Sequence, residues 1–244
     1  MSKNLYVRFE NFVKKILDDK DLFTNFKNHD DFRYMLEHVS FEEGQKYFDI
    51  IISKFNLSHT DIFSFCAMND MLGNPIKYEY PCGSVSPTSL RYILHALLIL
   101  EYMHNLELNE VNIVELGGGY GGLCLAIHHF SHGLKKKYTI IDLNFVGKLQ
   151  YKYLQTYGID VNVVQPYGES LQENDYFLIS NYCFAEIHRT HQKRYISLLF
   201  PKVKYGFITW NEFTDPYDFG FDCNIIDEFP QTGVKNKYIY FKQR

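Results

Sequence analysis

Five cysteines are scattered through 244 residues, an odd number with no Cys-x-x-Cys spacing. This excludes a disulfide framework and a zinc knuckle, and predicts reduced thiols in a cytoplasmic protein. Excess positive charge is also missing: 25 Lys and Arg stand against 29 Asp and Glu, a net charge of −4. A broad nucleic-acid surface is thereby excluded, because phosphate binding needs a positive face. The one basic run, Lys135-Lys136-Lys137, reads as a solvated turn. No apolar run approaches the roughly 18 residues of a spanning helix. The richest, Tyr92 to Leu100, contains His95 and is followed by Glu101, so no membrane partner is expected. The N-terminus lacks the apolar core of a signal peptide. Tryptophan occurs once, whereas phenylalanine and tyrosine number 21 and 20. With 46% hydrophobic residues, the chain can bury a core for one domain with an extension, or for two small ones.

Helical periodicity fills the first hundred residues. Phe9, Phe12, Val13 and Ile16 follow i, i+3, i+4, i+7, and Tyr47, Ile50, Ile51 and Phe55 do much the same. The stretch 74–88 holds several prolines and a glycine and reads as a long irregular connection. A helix opens at Ser86 or Pro87 and runs to about His104. From Val111 the pattern becomes alternating strand and helix, which predicts a mainly parallel sheet. Expected strands are 111–115, 138–142, 160–164, 175–180 and 204–210, followed by a pair near 222–228 and 236–242. Expected helices lie near 120–131, 145–157 and 187–199. The division this suggests is a helical extension over 1–105 and a sheet domain over 106–244.

The sequence Val111-Asn112-Ile113-Val114-Glu115-Leu116-Gly117-Gly118-Gly119-Tyr120-Gly121-Gly122 reads as a buried strand that ends on an acid and enters a helix through a glycine-rich loop. Such a loop presents bare backbone and a helix N-terminus at the carboxyl end of a strand, where open α/β sheets bind nucleotide-like ligands. Two patterns overlap in it. Gly117-x-Gly119-x-x-Gly122 satisfies the dinucleotide fingerprint. Glu115-x-Gly117-x-Gly119-x-Gly121 resembles the acid-led glycine loop of class I S-adenosylmethionine (SAM) methyltransferases. Glu115 separates the two, since a carboxylate there repels a pyrophosphate and favours a sulfonium or an ammonium. A turn that binds nothing is the bland alternative.

Further residues gather at the expected strand ends. Asp142, with Leu143 beside it, can accept from ribose hydroxyls or can simply cap the next helix. Gln165 can accept from an adenine amino group or can belong to an ordinary loop. Asn181 and Tyr182 end the fourth strand. Glu186, His188 and His191 follow at the start of a helix, where one of them can act as a general base toward a hydroxyl. The alternative is a first-turn acid with exposed histidines. Trp210 ends the fifth strand as a stacking surface or a core residue. His128 and His132 have metal-ligand spacing, but no acid accompanies them and no metal is expected.

Four segments together resemble the sugar O-methyltransferase family, a branch of the class I SAM-dependent methyltransferases. They are Ser86-Pro87-Thr88-Ser89-Leu90-Arg91-Tyr92, the loop Glu115 to Gly122, Ser180-Asn181-Tyr182-Cys183-Phe184-Ala185-Glu186, and Glu228-Phe229-Pro230-Gln231-Thr232. The resemblance covers about 75–244 and departs from the fold's usual pattern in leaving little more than a turn over 211–220. It implies a Rossmann-like α/β sheet, mostly parallel with a terminal antiparallel hairpin, behind an N-terminal helical extension. It also implies transfer of a methyl group from SAM to a hydroxyl of a small-molecule or saccharide acceptor. Glu115, Gly117, Gly118, Gly119, Tyr120, Gly121, Asp142, Leu143, Gln165, Asn181 and Tyr182 would hold the cofactor, and Tyr78, Thr88, Arg91, Tyr92 and Trp210 would meet the acceptor. Methylation of RNA, a cap or a protein, a non-catalytic SAM-fold subunit and an NAD-dependent reductase are the competing functions. Oligomeric state is not encoded in these patterns.

Overall fold

A computed structural model describes residues 3–211, 216 and 219–243. In chain order the elements are α1 (Lys3–Asp18), α2 (Lys20–Asn25), α3 (Asp30–Leu36), α4 (Phe41–Phe55), α5 (His59–Met71), β1 (Tyr78–Tyr80), β2 (Gly83–Val85) and α6 (Pro87–Asn105). There follow β3 (Glu110–Leu116), α7 (Gly122–Phe130), β4 (Lys135–Ile141), α8 (Asn144–Thr156), β5 (Asn162–Val164) and β6 (Tyr176–Asn181). The chain continues through α9 (Cys183–Glu186), α10 (Arg189–Leu198), β7 (Val203–Trp210), β8 (Cys223–Asp227) and β9 (Lys237–Lys242). Two compact units form. One comprises the chain up to Leu106 with Gly119–His132 and Lys152–Ile159; the other comprises Glu107–Gly118, Gly133–Tyr151 and the chain from Asp160 onward.

The first unit is helical. Phe9, Phe12, Val13 and Ile16 line the buried face of α1, as their spacing requires. Ser40 and Glu43 form a reciprocal capping box at the start of α4. Ser86 caps α6, whose first residue is Pro87. Asn69 is the polar hub of this unit. Its Nδ2 donates to Ser89 Oγ at 2.7 Å and Tyr120 OH at 3.1 Å, and its Oδ1 accepts from Tyr153 OH at 2.8 Å. The fully buried Lys27 donates through Nζ to the Asn69 carbonyl at 2.6 Å and lies 4.2 Å from the centre of the Tyr120 ring. Burial lowers the Lys27 pKa to about 8, against the opposing pull of Glu37 and Asp70.

The second unit is built on a seven-stranded sheet in the order β5-β4-β3-β6-β7-β9-β8. The first five strands in that order run parallel, and β9 and β8 close the sheet antiparallel. This is the Rossmann-like arrangement expected from the sequence. The β-branched run of β3 is buried on both faces, as a central parallel strand demands. Val114, Leu116, Leu178, Phe184, Trp210 and Ile239 belong to one core cluster.

Several expectations need correction. Residues 74–88 are not wholly irregular: β1 and β2 form a small hairpin with Tyr78 opposite Val85. Pro81 lies in its turn, where no ladder N–H is needed. Lys135–Lys137 is not a turn but the start of β4, paired with Glu110–Asn112, and Lys137 meets Glu173 at 2.8 Å. The helix expected over 187–199 forms as Arg189–Leu198, capped by His188, and a separate short helix, Cys183–Glu186, precedes it because Ile187 is extended. Most of the 211–220 connection, including 212–215, lies outside the described residues.

Lys27 yields a stability test. Its folded pKa lies below that of an unfolded lysine, so protonation of the unfolded chain costs stability as pH falls from 10.5 toward 8. The stability of the wild type relative to Lys27→Met should therefore rise between pH 8 and pH 10.5, by on the order of 3 kcal/mol. Parallel denaturant melts across that range measure it; a difference independent of pH contradicts a depressed lysine.

Candidate functional site

The order of strands reverses between β3 and β6, with β4 on one side of β3 and β6 on the other. In open α/β sheets the crevice at the carboxyl ends of such a pair is where ligands bind. Glu115, Leu116 and Gly117 lie at that point. Gly117 donates its N–H to Ile141 O at 3.0 Å and has φ +77°, a conformation that favours glycine. A Cβ on Gly117 would collide with Cys183 Sγ. Ser180 Oγ donates to Leu116 O at 3.0 Å and accepts from Phe184 N at 3.0 Å, which ties β3 to the end of β6.

Beneath this loop sits Glu115, 1% exposed. Tyr138 OH donates to its Oε2 at 3.0 Å. Burial pushes the Glu115 carboxyl up to about 7; the Tyr138 hydrogen bond opposes that rise and nearby Asp142 adds to it. A Cβ on Gly118 would lie 2.9 Å from Ile140 and 3.2 Å from Glu115 Oε2, so only glycine lets the loop close down on the acid.

Asp142 follows β4. Its Oδ2 accepts from Gly118 N at 3.1 Å and from Gln150 Nε2 at 2.7 Å, and its Oδ1 accepts from Leu143 N at 2.8 Å. Burial raises its pKa to about 6, opposed by these three hydrogen bonds. A carboxylate can accept about four hydrogen bonds, so Oδ1 retains capacity for a hydroxyl. Leu143 is exposed beside it. The structure thus brings together Glu115, Gly117, Gly118, Asp142 and Leu143, and adds Tyr138, Gln150 and Cys183, which the sequence reading did not select. Gln150 carries a faint local signal, eight residues after Asp142 and two helical turns along; Tyr138 and Cys183 carry none.

The remaining candidates sit as follows. Gln165 is exposed after β5, and its carbonyl accepts from Gly168 N at 3.4 Å. Asn181 and Tyr182 are half-buried at the end of β6. Glu186 is exposed, and its Oε1 accepts from Asn211 Nδ2 at 2.7 Å. His188 caps α10 by accepting from Thr190 N at 3.3 Å. His191 Nδ1 shares a 2.6 Å hydrogen bond with Tyr167 OH, and the Arg194 guanidinium lies 3.9 Å from the centre of the Tyr167 ring. Trp210 is a core residue and not a stacking platform: it is 0% exposed and packs against Phe184 and Phe219.

In the helical unit, Thr88, Arg91 and Tyr92 occupy α6 and are buried. Arg91 donates to Leu36 O at 3.3 Å. The Tyr92 ring stands edge-on to Tyr120 at 5.6 Å and fills the space that a side chain on Gly122 would need. Tyr120 itself is fully buried, so its side chain is a core group and only its backbone is left for a ligand. Tyr78 lies apart on β1, half-exposed, with its ring 5.8 Å from Phe41. Among the described residues no group of three or more His, Cys, Asp or Glu is placed to hold a metal, no disulfide joins any of the five cysteines, and no helix is long and apolar enough to cross a membrane.

No protein-family model matches the sequence, and no curated protein matches it. In structure the chain is similar to a SAM-dependent methyltransferase from Aquifex aeolicus, 16% identical, over 59% of this chain and 88% of that one at a TM-score of 0.45. It is also similar to the PH0226 protein from Pyrococcus horikoshii OT3, 9% identical, over 63% and 91% of the two chains at a TM-score of 0.48. A third similarity is to the methyltransferase domain of bacterial CtHen1, 10% identical, over 61% and 97% at a TM-score of 0.47.

The buried acid at its centre should reduce stability at neutral pH. The folded pKa of Glu115 is raised, so the protein is favoured while the acid is protonated, and that advantage fades as pH rises from 4.5 through about 7. Glu115→Gln, which keeps an acceptor for Tyr138, should be more stable than wild type at pH 8 by on the order of 3 kcal/mol and nearly equal to it near pH 4.5. Thermal melts at the two pH values test this; a Gln variant less stable at pH 8 refutes it.

Proposed function

We propose that the chain is a SAM-dependent methyltransferase acting on a hydroxyl of a small or glycosidic acceptor, with a sugar as the acceptor suggested by the sequence resemblance. The observation that carries the proposal is the pair of acids, the buried Glu115 and the half-buried Asp142, at the switch point under a glycine loop. Their negative potential suits a cation and opposes a pyrophosphate. A carboxyl held near neutrality by burial ionises readily when an ammonium arrives beside it. The donor set therefore fits SAM and does not fit a dinucleotide.

When bound, SAM supplies an electrophilic methyl group on a sulfonium. Glu115 would face the methionine ammonium, and Gly117 and Gly118 would let that part of the molecule approach the backbone. The resemblance extends this role to Gly119, Tyr120 and Gly121, the next residues of the loop, with Tyr120 contributing main chain only. Asp142 would accept from the ribose hydroxyls through Oδ1, flanked by Leu143, and Gln165 would serve the adenine end. Asn181 and Tyr182 would border the methyl group. Glu186 is proposed to remove the acceptor proton, its carboxylate oriented by Asn211. His188 and His191 are already engaged with Thr190 and Tyr167. Thr88, Arg91, Tyr92 and Tyr78 remain candidates for the acceptor side. A cytoplasmic setting fits five cysteines that form no disulfide.

Calorimetry with SAM, S-adenosylhomocysteine and NADH tests the cofactor. Micromolar-range binding of the first two and none of NADH is expected, with affinity for SAM falling as pH drops from 8 to 6 and Glu115 takes up its proton. Glu115→Gln should bind more weakly and lose most of that pH dependence. Binding of NADH alone, or no binding to an intact fold, refutes the proposal. A tritiated-methyl assay over nucleotide sugars, glycans and RNAs then identifies the acceptor; label in RNA alone would replace the sugar with a nucleic acid.

A further inference from the structure

Two segments 46 residues apart meet at one hydrogen bond, from Tyr182 OH to Glu228 Oε1. Tyr182 follows β6 and caps α9 with φ 63° and ψ −26°, a left-handed conformation that costs a tyrosine energy. Its N–H donates to Thr209 O at 2.9 Å. Glu228 follows β8 and is 2% exposed. Its second oxygen accepts from Thr232 N at 2.9 Å, Thr232 Oγ1 at 2.7 Å and Asn236 Nδ2 at 2.9 Å.

The loop between β8 and β9 is braced around this carboxylate. Glu228 N donates to Asn236 O at 3.0 Å, and Asn236 N donates to Gln231 Oε1 at 2.8 Å. Tyr238 OH donates to Phe229 O at 3.1 Å. A hairpin connection can be braced by neutral groups, and burying a carboxylate in one is expensive. Four hydrogen bonds offset that cost. Three of them come from the loop itself, and the fourth reaches out to the residue at the carboxyl edge of the sheet. The next residue along, Cys183, packs on Gly117 of the glycine loop.

We infer that Glu228 is a positioning residue for the cofactor site: it locks the phenol and the left-handed backbone of Tyr182, and through Tyr182 holds the end of β6 against the glycine loop. This rests on the SAM reading above and deepens it.

The test is calorimetric titration of S-adenosylhomocysteine into wild type, Tyr182→Phe, Glu228→Ala, the double variant and Tyr238→Phe. Each of the first two variants should bind roughly tenfold more weakly, and the double variant no more weakly than the worse single one, because both break the same bond. Tyr238→Phe loosens the same loop without touching that bond, and should lower the melting temperature while keeping wild-type affinity. Tyr182→Phe with unchanged affinity overturns the inference, as do losses that multiply in the double variant or an equal loss in Tyr238→Phe. Should Glu228→Ala fail to fold, Tyr182→Phe and Tyr238→Phe decide alone. A wild type that does not bind S-adenosylhomocysteine overturns the SAM reading and this inference with it, whereas a binding wild type with an indifferent Tyr182→Phe overturns the inference only.

Discussion

A carboxylate buried at the end of the central strand constrains everything around it in the sheet unit. Glu115 has one good donor in Tyr138 and a like charge near it in Asp142. The chain must therefore cover it with backbone and not with side chain. Gly118 does this, and a methyl group there would meet both Ile140 and the acid itself. Gly117 is fixed from the other side by Cys183. Gly117 and Gly118 are required by the protein's own packing before any ligand is considered.

The acids at the strand ends are treated differently. Asp142 is surrounded by three donors and Glu228 by four. Hydrogen bonds of this kind fix the geometry. Glu115 alone is left short of partners. Within one sheet edge, Asp142 and Glu228 are held by three and four protein donors, and Glu115 by the Tyr138 hydroxyl.

The sheet was legible in the sequence where local pattern is strong. Val111–Leu116 is a β-branched run closed by an acid and glycines, and the strands near 138, 175 and 204 carry similar runs. The three-residue strands at Tyr78 and Gly83 were not legible, because three residues hold too little periodicity to outweigh flanking prolines. Lys135–Lys137 misled because its charge signals solvent, yet pairing with β3 uses only its backbone. At the site, Glu115 and Asp142 stood out through position at strand ends. Tyr138, Cys183 and Glu228 did not, because their roles come from contacts with residues distant in sequence. Trp210 was ambiguous for a different reason: a strand end can point a ring either toward the ligand edge or into the core, and Phe184 and Phe219 supply the core partners here.

The helical unit solves a similar problem by other means. Lys27 is a buried cation without a salt bridge at contact distance among the described residues, and it leans on the Asn69 carbonyl and on the faces of Tyr120 and Tyr153. Removing an ammonium from water is costly, and aromatic faces return part of that cost. What the arrangement secures is the position of Tyr120, which is locked by the Asn69 hydrogen bond at its hydroxyl and by Lys27 at its ring. Tyr120 is the residue between Gly119 and Gly121. A flexible glycine loop would lose entropy each time it ordered around a ligand. An anchored aromatic between Gly119 and Gly121 means that the ordering cost of these glycines is taken once, on folding.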